Sequence, residues 1–86
     1  MLPEVNDLNN YERNMKYYAF IMVAVGWVES GTQLSDMYKD DLVELEDILQ
    51  TEVEYAKARF WRPNPKPVAL QNLGRIAALR SQGVID

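Results

Sequence analysis

The stretch Tyr17-Tyr18-Ala19-Phe20-Ile21-Met22-Val23-Ala24-Val25-Gly26-Trp27-Val28 decides the fold. It carries no charge, sits between Lys16 and Glu29, and mixes aromatic and β-branched residues that would suit a buried strand as well as a helix. Helix is the better reading. The stretch is long, no hairpin signal precedes it, and no second strand candidate exists to pair with it. At twelve residues it is shorter than the ~20 needed to cross a bilayer, so no membrane span is expected.

Working outward, Asn6, Asn9 and Asn10 are all candidate N-caps, with Asp7 and Glu12 favourable at the positive end of the helix dipole. Ser30-Gly31 supplies the stop, glycine being able to take the left-handed conformation that ends many helices. The first helix is therefore predicted over residues 6–30. A connection, Gly31-Thr32-Gln33-Leu34, leads to a second helix over 35–62, capped by Ser35 or Asp36 and ended by Pro63. Tyr38, Leu42, Leu45, Leu49, Val53, Ala56 and Phe60 recur along it at steps of three and four, an apolar stripe at the helical period. Such a rod would be about 39 Å long.

Prolines 63, 65 and 67 alternate with other residues, so 62–67 is expected to be an extended, stiff spacer. Pro67 is well placed to open a third helix over 67–82, which Gly83 would stop. Leu70, Leu73, Ile76, Ala77 and Leu79 make its apolar side, and Gly74 with Ala78 leaves a notch for close backbone approach. The expected fold class is all-α: one domain over 1–86, with an antiparallel helical hairpin and a third helix held out or folded back by the proline spacer.

Composition narrows the chemistry. Cysteine and histidine are both absent, which removes disulfides, thiolate nucleophiles, the commonest zinc ligand and the usual general base. Asp and Glu alone can run acid–base chemistry, but three thin helices offer little concavity to hold two carboxylates at a set distance. No enzyme activity and no cofactor are expected. Met1-Leu2-Pro3-Glu4 lacks the features of a signal peptide, so an intracellular, cytoplasmic setting is expected, with a virion as the other setting considered.

Charge is divided along the chain. Residues 1–56 carry twelve acids and three bases, whereas 57–86 carry six bases and one acid, for a total of −4. Asp36, Asp40, Glu44, Asp47 and Glu54 fall on the polar side of the second helix, and the bland reading of that face is a solvated surface. A divalent-cation site finds no histidine and no calcium-type loop, while DNA mimicry sits poorly with the basic third. Read functionally, the five acids are a docking strip for a basic partner. Arg59, Arg62, Lys66, Arg75 and Arg80 form the opposite pole. Phe60 and Trp61 beside them superficially suit a nucleic-acid stacking platform, yet the acidic balance and the lack of any nucleic-acid motif argue against that partner. The prolines, two and four apart, also miss the PxxP spacing of SH3 ligands.

The greasy stretch weighs most. A helix apolar on every side must be covered on every side, and two neighbours leave part of its circumference bare. Tyr17, Phe20, Ile21, Val25 and Trp27 are thus read as an apolar contact surface. The expected partner is protein, either a second copy or a larger complex. The expected role is a structural or assembly subunit, with a small acidic binding module that regulates a larger protein as the rival.

Overall fold

A computed structural model describes residues 2–58 and 67–86. Its first helix, α1, spans Asn10–Glu29 and begins four residues later than the sequence reading put it. Of the three candidate caps, Asn9 is used. It lies in extended backbone, accepts the Glu12 N–H at 2.9 Å, and donates its amide to Glu12 Oε1 at 2.7 Å. That reciprocal pair is a variant of the capping box in which the Glu12 carboxylate takes the Asn9 side-chain amide instead of its main-chain N–H, and only Asn9 could build it because only Asn9 has Glu three residues on. Residues 6 and 7 form a turn instead, closed by Leu8 N–H to the Val5 carbonyl at 3.2 Å, and the turn brings Leu2 and Val5 back against the core.

The end of α1 follows the expectation. Gly31 has φ 82°, and the N–H groups of Gly31 and Thr32 bond back to the carbonyls of Val28 and Trp27 at 3.1 and 2.8 Å. This is a Schellman closure, which needs the left-handed residue that glycine supplies without strain. Ser35 then caps α2, Asp36–Ala58, its Oγ accepting the Tyr38 N–H at 3.2 Å. The last helix, α3, spans Pro67–Ser81 and closes by the same motif at Gly83, φ 80°. The predicted continuation of the second helix to residue 62, the proline spacer, and Phe60 and Trp61 lie outside the described residues.

The architecture is all-α, three helices among the described residues. Phe20 meets Tyr38 and Asn14 meets Glu52, so α1 and α2 run antiparallel as a hairpin. Asn72 reaches Asn14 and Arg75 reaches Tyr18, which sets α3 parallel to α1, while Arg80 against Glu46 sets it antiparallel to α2. The third helix is folded back. It comes into close backbone range of both others. Leu42, Leu45, Leu49 and Val53, four members of the predicted stripe, are buried against Tyr17, Ile21 and Ala24 of α1 and Ala69, Ile76 and Leu79 of α3. Leu34 from the connection and Ile85 from the tail complete the core beyond the helices themselves. No described helix is long and apolar enough to cross a membrane.

Candidate functional site

Two kinds of surface follow from this packing: a polar seam between the helices and an apolar strip facing outward. The seam starts at Asn14 and Asn72, both fully buried. Asn14 donates its side-chain amide to Glu52 Oε1 at 3.1 Å, and Asn72 donates its own to the Asn14 main-chain carbonyl at 3.1 Å. One amide thus ties α1 to α2 and the other ties α3 to α1. The Oδ1 atoms of both residues are buried with no partner among the described residues, a cost that a wholly apolar seam would not carry. Arg13 adds a long ion pair to Glu52 at 3.9 Å.

The two described members of the basic tail turn inward. Arg80 pairs with Glu46 and donates through Nε to the Asp86 carbonyl at 2.8 Å, and its hydrogen bond to Glu46 holds its pKa above the usual value. Arg75 lies over the Tyr18 ring, 5.3 Å from its centroid, and reaches the Tyr18 hydroxyl at 3.4 Å. Both side chains are held by their own chain rather than extended into solvent. Arg59, Arg62 and Lys66 lie outside the described residues.

The acidic side of α2 divides in two. Asp36, Asp40, Glu44, Asp47 and Glu54 are all exposed along the rod, where the sequence pattern put them. Glu46 and Glu52 are partly covered and engaged by Arg80, and by Asn14 with Arg13. The polarity along the sequence is therefore answered in part within one molecule.

The apolar surface assignment on α1 needs correction. Tyr17 and Ile21 are buried in the core of the same chain, and Phe20 and Val25 are half-buried against it. In this fold Tyr17 and Ile21 are closed to a partner. They face inward because a helix turns 100° per residue, so 17, 21 and 24 share the side that α2 and α3 cover. Trp27 alone of the five is exposed, at 42%, and the other large apolar residues of α1 left exposed are Tyr11 at 60%, Met15 at 40% and Val23 at 45%. Ala19 and Gly26 are exposed between them. Leu8, Tyr11, Met15 and Ala19 line a shallow, mostly apolar concavity beside Glu12 and Lys16.

Trp27 is held in place on its inner edge. Its ring meets Tyr38 edge-on with centroids 5.2 Å apart, and Tyr38 in turn stacks flat on Phe20 at 4.4 Å and 4°. The Tyr38 hydroxyl donates to the Phe20 carbonyl at 2.5 Å. Burial raises the Tyr38 pKa, and the Asp41 carboxylate pushes it the same way.

Sequence reasoning missed Tyr11, Met15 and Val23 because it treated the greasy span as one block. Stepping through α1 in fours from residue 11 finds them. Asn14 and Asn72 carry no such signal, since an asparagine inside a helix looks like a surface residue until its neighbours are placed. Among the described residues no three of His, Cys, Asp and Glu converge to hold a metal ion. Comparison of the chain with protein-family models, with curated proteins and with solved structures finds no match.

Proposed function

We propose that this chain is a non-enzymatic structural or assembly subunit that acts through protein–protein contacts, in the manner of a small virion or connector component. One observation supports the reading most. The helix with the uncharged span 17–28 leaves Val23 and Trp27 about half exposed after the described residues have packed against it, and Tyr11 and Met15 ahead of the span are exposed as well. These four side chains are spread over the outward half of α1, Met15 and Val23 near its middle and Tyr11 and Trp27 on its two flanks, and exposed apolar surface of this kind marks contact sites. Covering it is the physical use such a surface has.

The test is light scattering on the purified chain from low to high micromolar concentration across a salt series. A mass above the 10.0 kDa of one chain at high micromolar concentration is the expected result. Association through the apolar face persists as salt rises, whereas association through charged surfaces falls. A single-chain mass at every concentration and salt would remove the self-assembly reading.

A second reading is favoured by the five exposed acids of α2, four of which follow at steps of three and four from Asp36 to Asp47, with Glu54 two turns further on. On that reading the chain is a small acidic module that docks on a larger basic protein and regulates it. The complex would be one-to-one, with an on-rate that falls steeply with salt. It would be lost when Asp40, Glu44 and Asp47 are neutralised together.

A further inference from the structure

Helix α3 takes an asparagine into the core and leaves a leucine out. Asn72 is fully buried, while Leu70 on the same helix is 46% exposed. Apolar burial alone does not account for a helix set in this way.

The apolar contacts of α3 discriminate poorly between neighbouring settings. Its buried positions are Ala69, Asn72, Ile76 and Leu79, at steps of three, four and three, and those of α1 are Asn14, Tyr17, Ile21 and Ala24, at the same steps. A slide of α3 by three residues, about 4.5 Å, puts Ala69 in the place of Asn72, Leu73 in that of Ile76 and Ile76 in that of Leu79. All three places are then apolar. Leu79 moves outward and Leu70 inward, one leucine for another. Arg80 on Glu46 and Arg75 on Tyr18 are contacts of long, partly exposed side chains, which tell one setting from the next only weakly. The bond from the Asn72 amide to the Asn14 main-chain carbonyl, at 3.1 Å, is of another kind. It is buried, made by a short side chain and directional, so a slide of one turn breaks it outright.

We propose that Asn72 sets the register of this fold: its amide on the α1 main chain selects one setting of α3 against the α1–α2 hairpin, at a cost in stability. A single polar residue in an otherwise apolar helical seam can act in this way. The cost is the Asn72 Oδ1, which is buried with no partner among the described residues. Asn14 takes no part in the selection. From it α3 uses only the main-chain oxygen, which any residue at 14 supplies, while its side chain binds Glu52 of α2. Two asparagines of equal burial thus have separate tasks, one fixing α3 and the other joining the hairpin. This holds whether or not the chain assembles.

Two-dimensional NMR on the full chain tests this with wild type, Asn72→Leu and Asn14→Leu, replacements of similar volume. Arg75 reports the setting, because the Tyr18 ring beneath its guanidinium shifts its side-chain protons upfield. Wild type is expected to show one set of α3 amide signals and shifted Arg75 protons. Asn72→Leu is expected to keep its helicity and a urea midpoint at or above wild type. Its α3 signals should nevertheless multiply or broaden, and the Arg75 shift should shrink towards its value in denaturant. Asn14→Leu is expected to keep the wild-type pattern in α3. A folded Asn72→Leu with one set of signals and the full Arg75 shift overturns the proposal. So does equal multiplication in both variants, which would mean that either leucine merely disturbs packing, or an Asn72→Leu midpoint well below wild type. Should Asn72→Leu lose helicity, Asn72→Met, whose flexible side chain fits an irregular gap, carries the same readout. Loss of helicity in both would show that the amide holds the fold up rather than selecting its setting, and that also overturns it.

Discussion

Tyr38 couples three features of this small protein at one residue. Its ring closes the α1–α2 hairpin on Phe20, its edge steadies the exposed Trp27, and its hydroxyl caps a carbonyl of α1. Burial raises its pKa. Burial does the same to Tyr17, where Arg13 pulls the other way and Glu52 and Glu44 add to the rise. A raised tyrosine pKa means the fold favours the neutral phenol more than the unfolded chain does. The stabilisation is therefore fully present below about pH 10, the ordinary tyrosine value, and is lost as pH climbs through the folded value. Thermal melts followed by circular dichroism should be flat on the neutral side of that value and fall steeply on the alkaline side. Tyrosinate absorbance of the folded chain should show a late-titrating fraction that disappears in denaturant. Tyr38→Phe should shrink that fraction and cost about 1 kcal/mol near neutrality, the value of a typical hydrogen bond. All tyrosines titrating together at the ordinary value would contradict the burial of both side chains. At this scale the sequence was only partly legible. Tyr38 could be placed on the apolar stripe of the second helix, but nothing in the sequence named Phe20 and Trp27 as its partners.

At the scale of the elements, local chemistry decided most of what forms. Asn9, Ser35, Gly31 and Gly83 each do what their side chains, or the lack of one, dictate at a helix end. The glycines offer a paired test. Gly31 sits at φ 82°, where a Cβ is strained whatever the space, so Gly31→Ala should destabilise by roughly 1–2 kcal/mol. Gly26 lies within α1, is exposed, and has nothing near the position a Cβ would take, so Gly26→Ala should stabilise by roughly 0.5–1 kcal/mol. Urea denaturation of both variants at low micromolar concentration measures them on one scale, and equal signs would mean that one of the two conformations is misassigned. The stop at Gly31 was legible because glycine after a serine at the end of an apolar run has few other uses. The start of α1 was less so. Three asparagines competed, and the winner was set by Glu12 together with the need for Leu2 and Val5 to turn back over the core.

On the scale of the whole molecule, three helices and three short segments among the described residues share one core. The tail is part of it. Ile85 is buried past the end of α3, brought there by the Gly83 turn and by Arg80, which holds the Asp86 carbonyl. Ile85→Ala should therefore cost roughly 2–4 kcal/mol, although the residue lies second from the C-terminal end. Against a total stability of about 5–10 kcal/mol for a domain of this size, that is a large share. A urea midpoint within error of wild type would show that the tail does not belong to the core. The same global packing settles which charges remain outside. Glu46 and Glu52 are engaged by α3 and α1, and the acids left facing solvent are those that fall on the far side of α2.

The all-α class, the order of the three helices, the glycine stops of α1 and α3 and the inward stripe of α2 follow from the sequence by itself. Each depends on spacing along one helix or on the backbone freedom of one residue, and both are local. Which side of α1 meets the core, that Tyr17 and Ile21 are closed off while Trp27 is not, and that Arg75 and Arg80 turn inward were decided only in three dimensions. A helix apolar on every side contains no internal mark of its inner face. That mark arises when α2, α3 and the N-terminal segment take their places around it, because each covers only the arc it can reach.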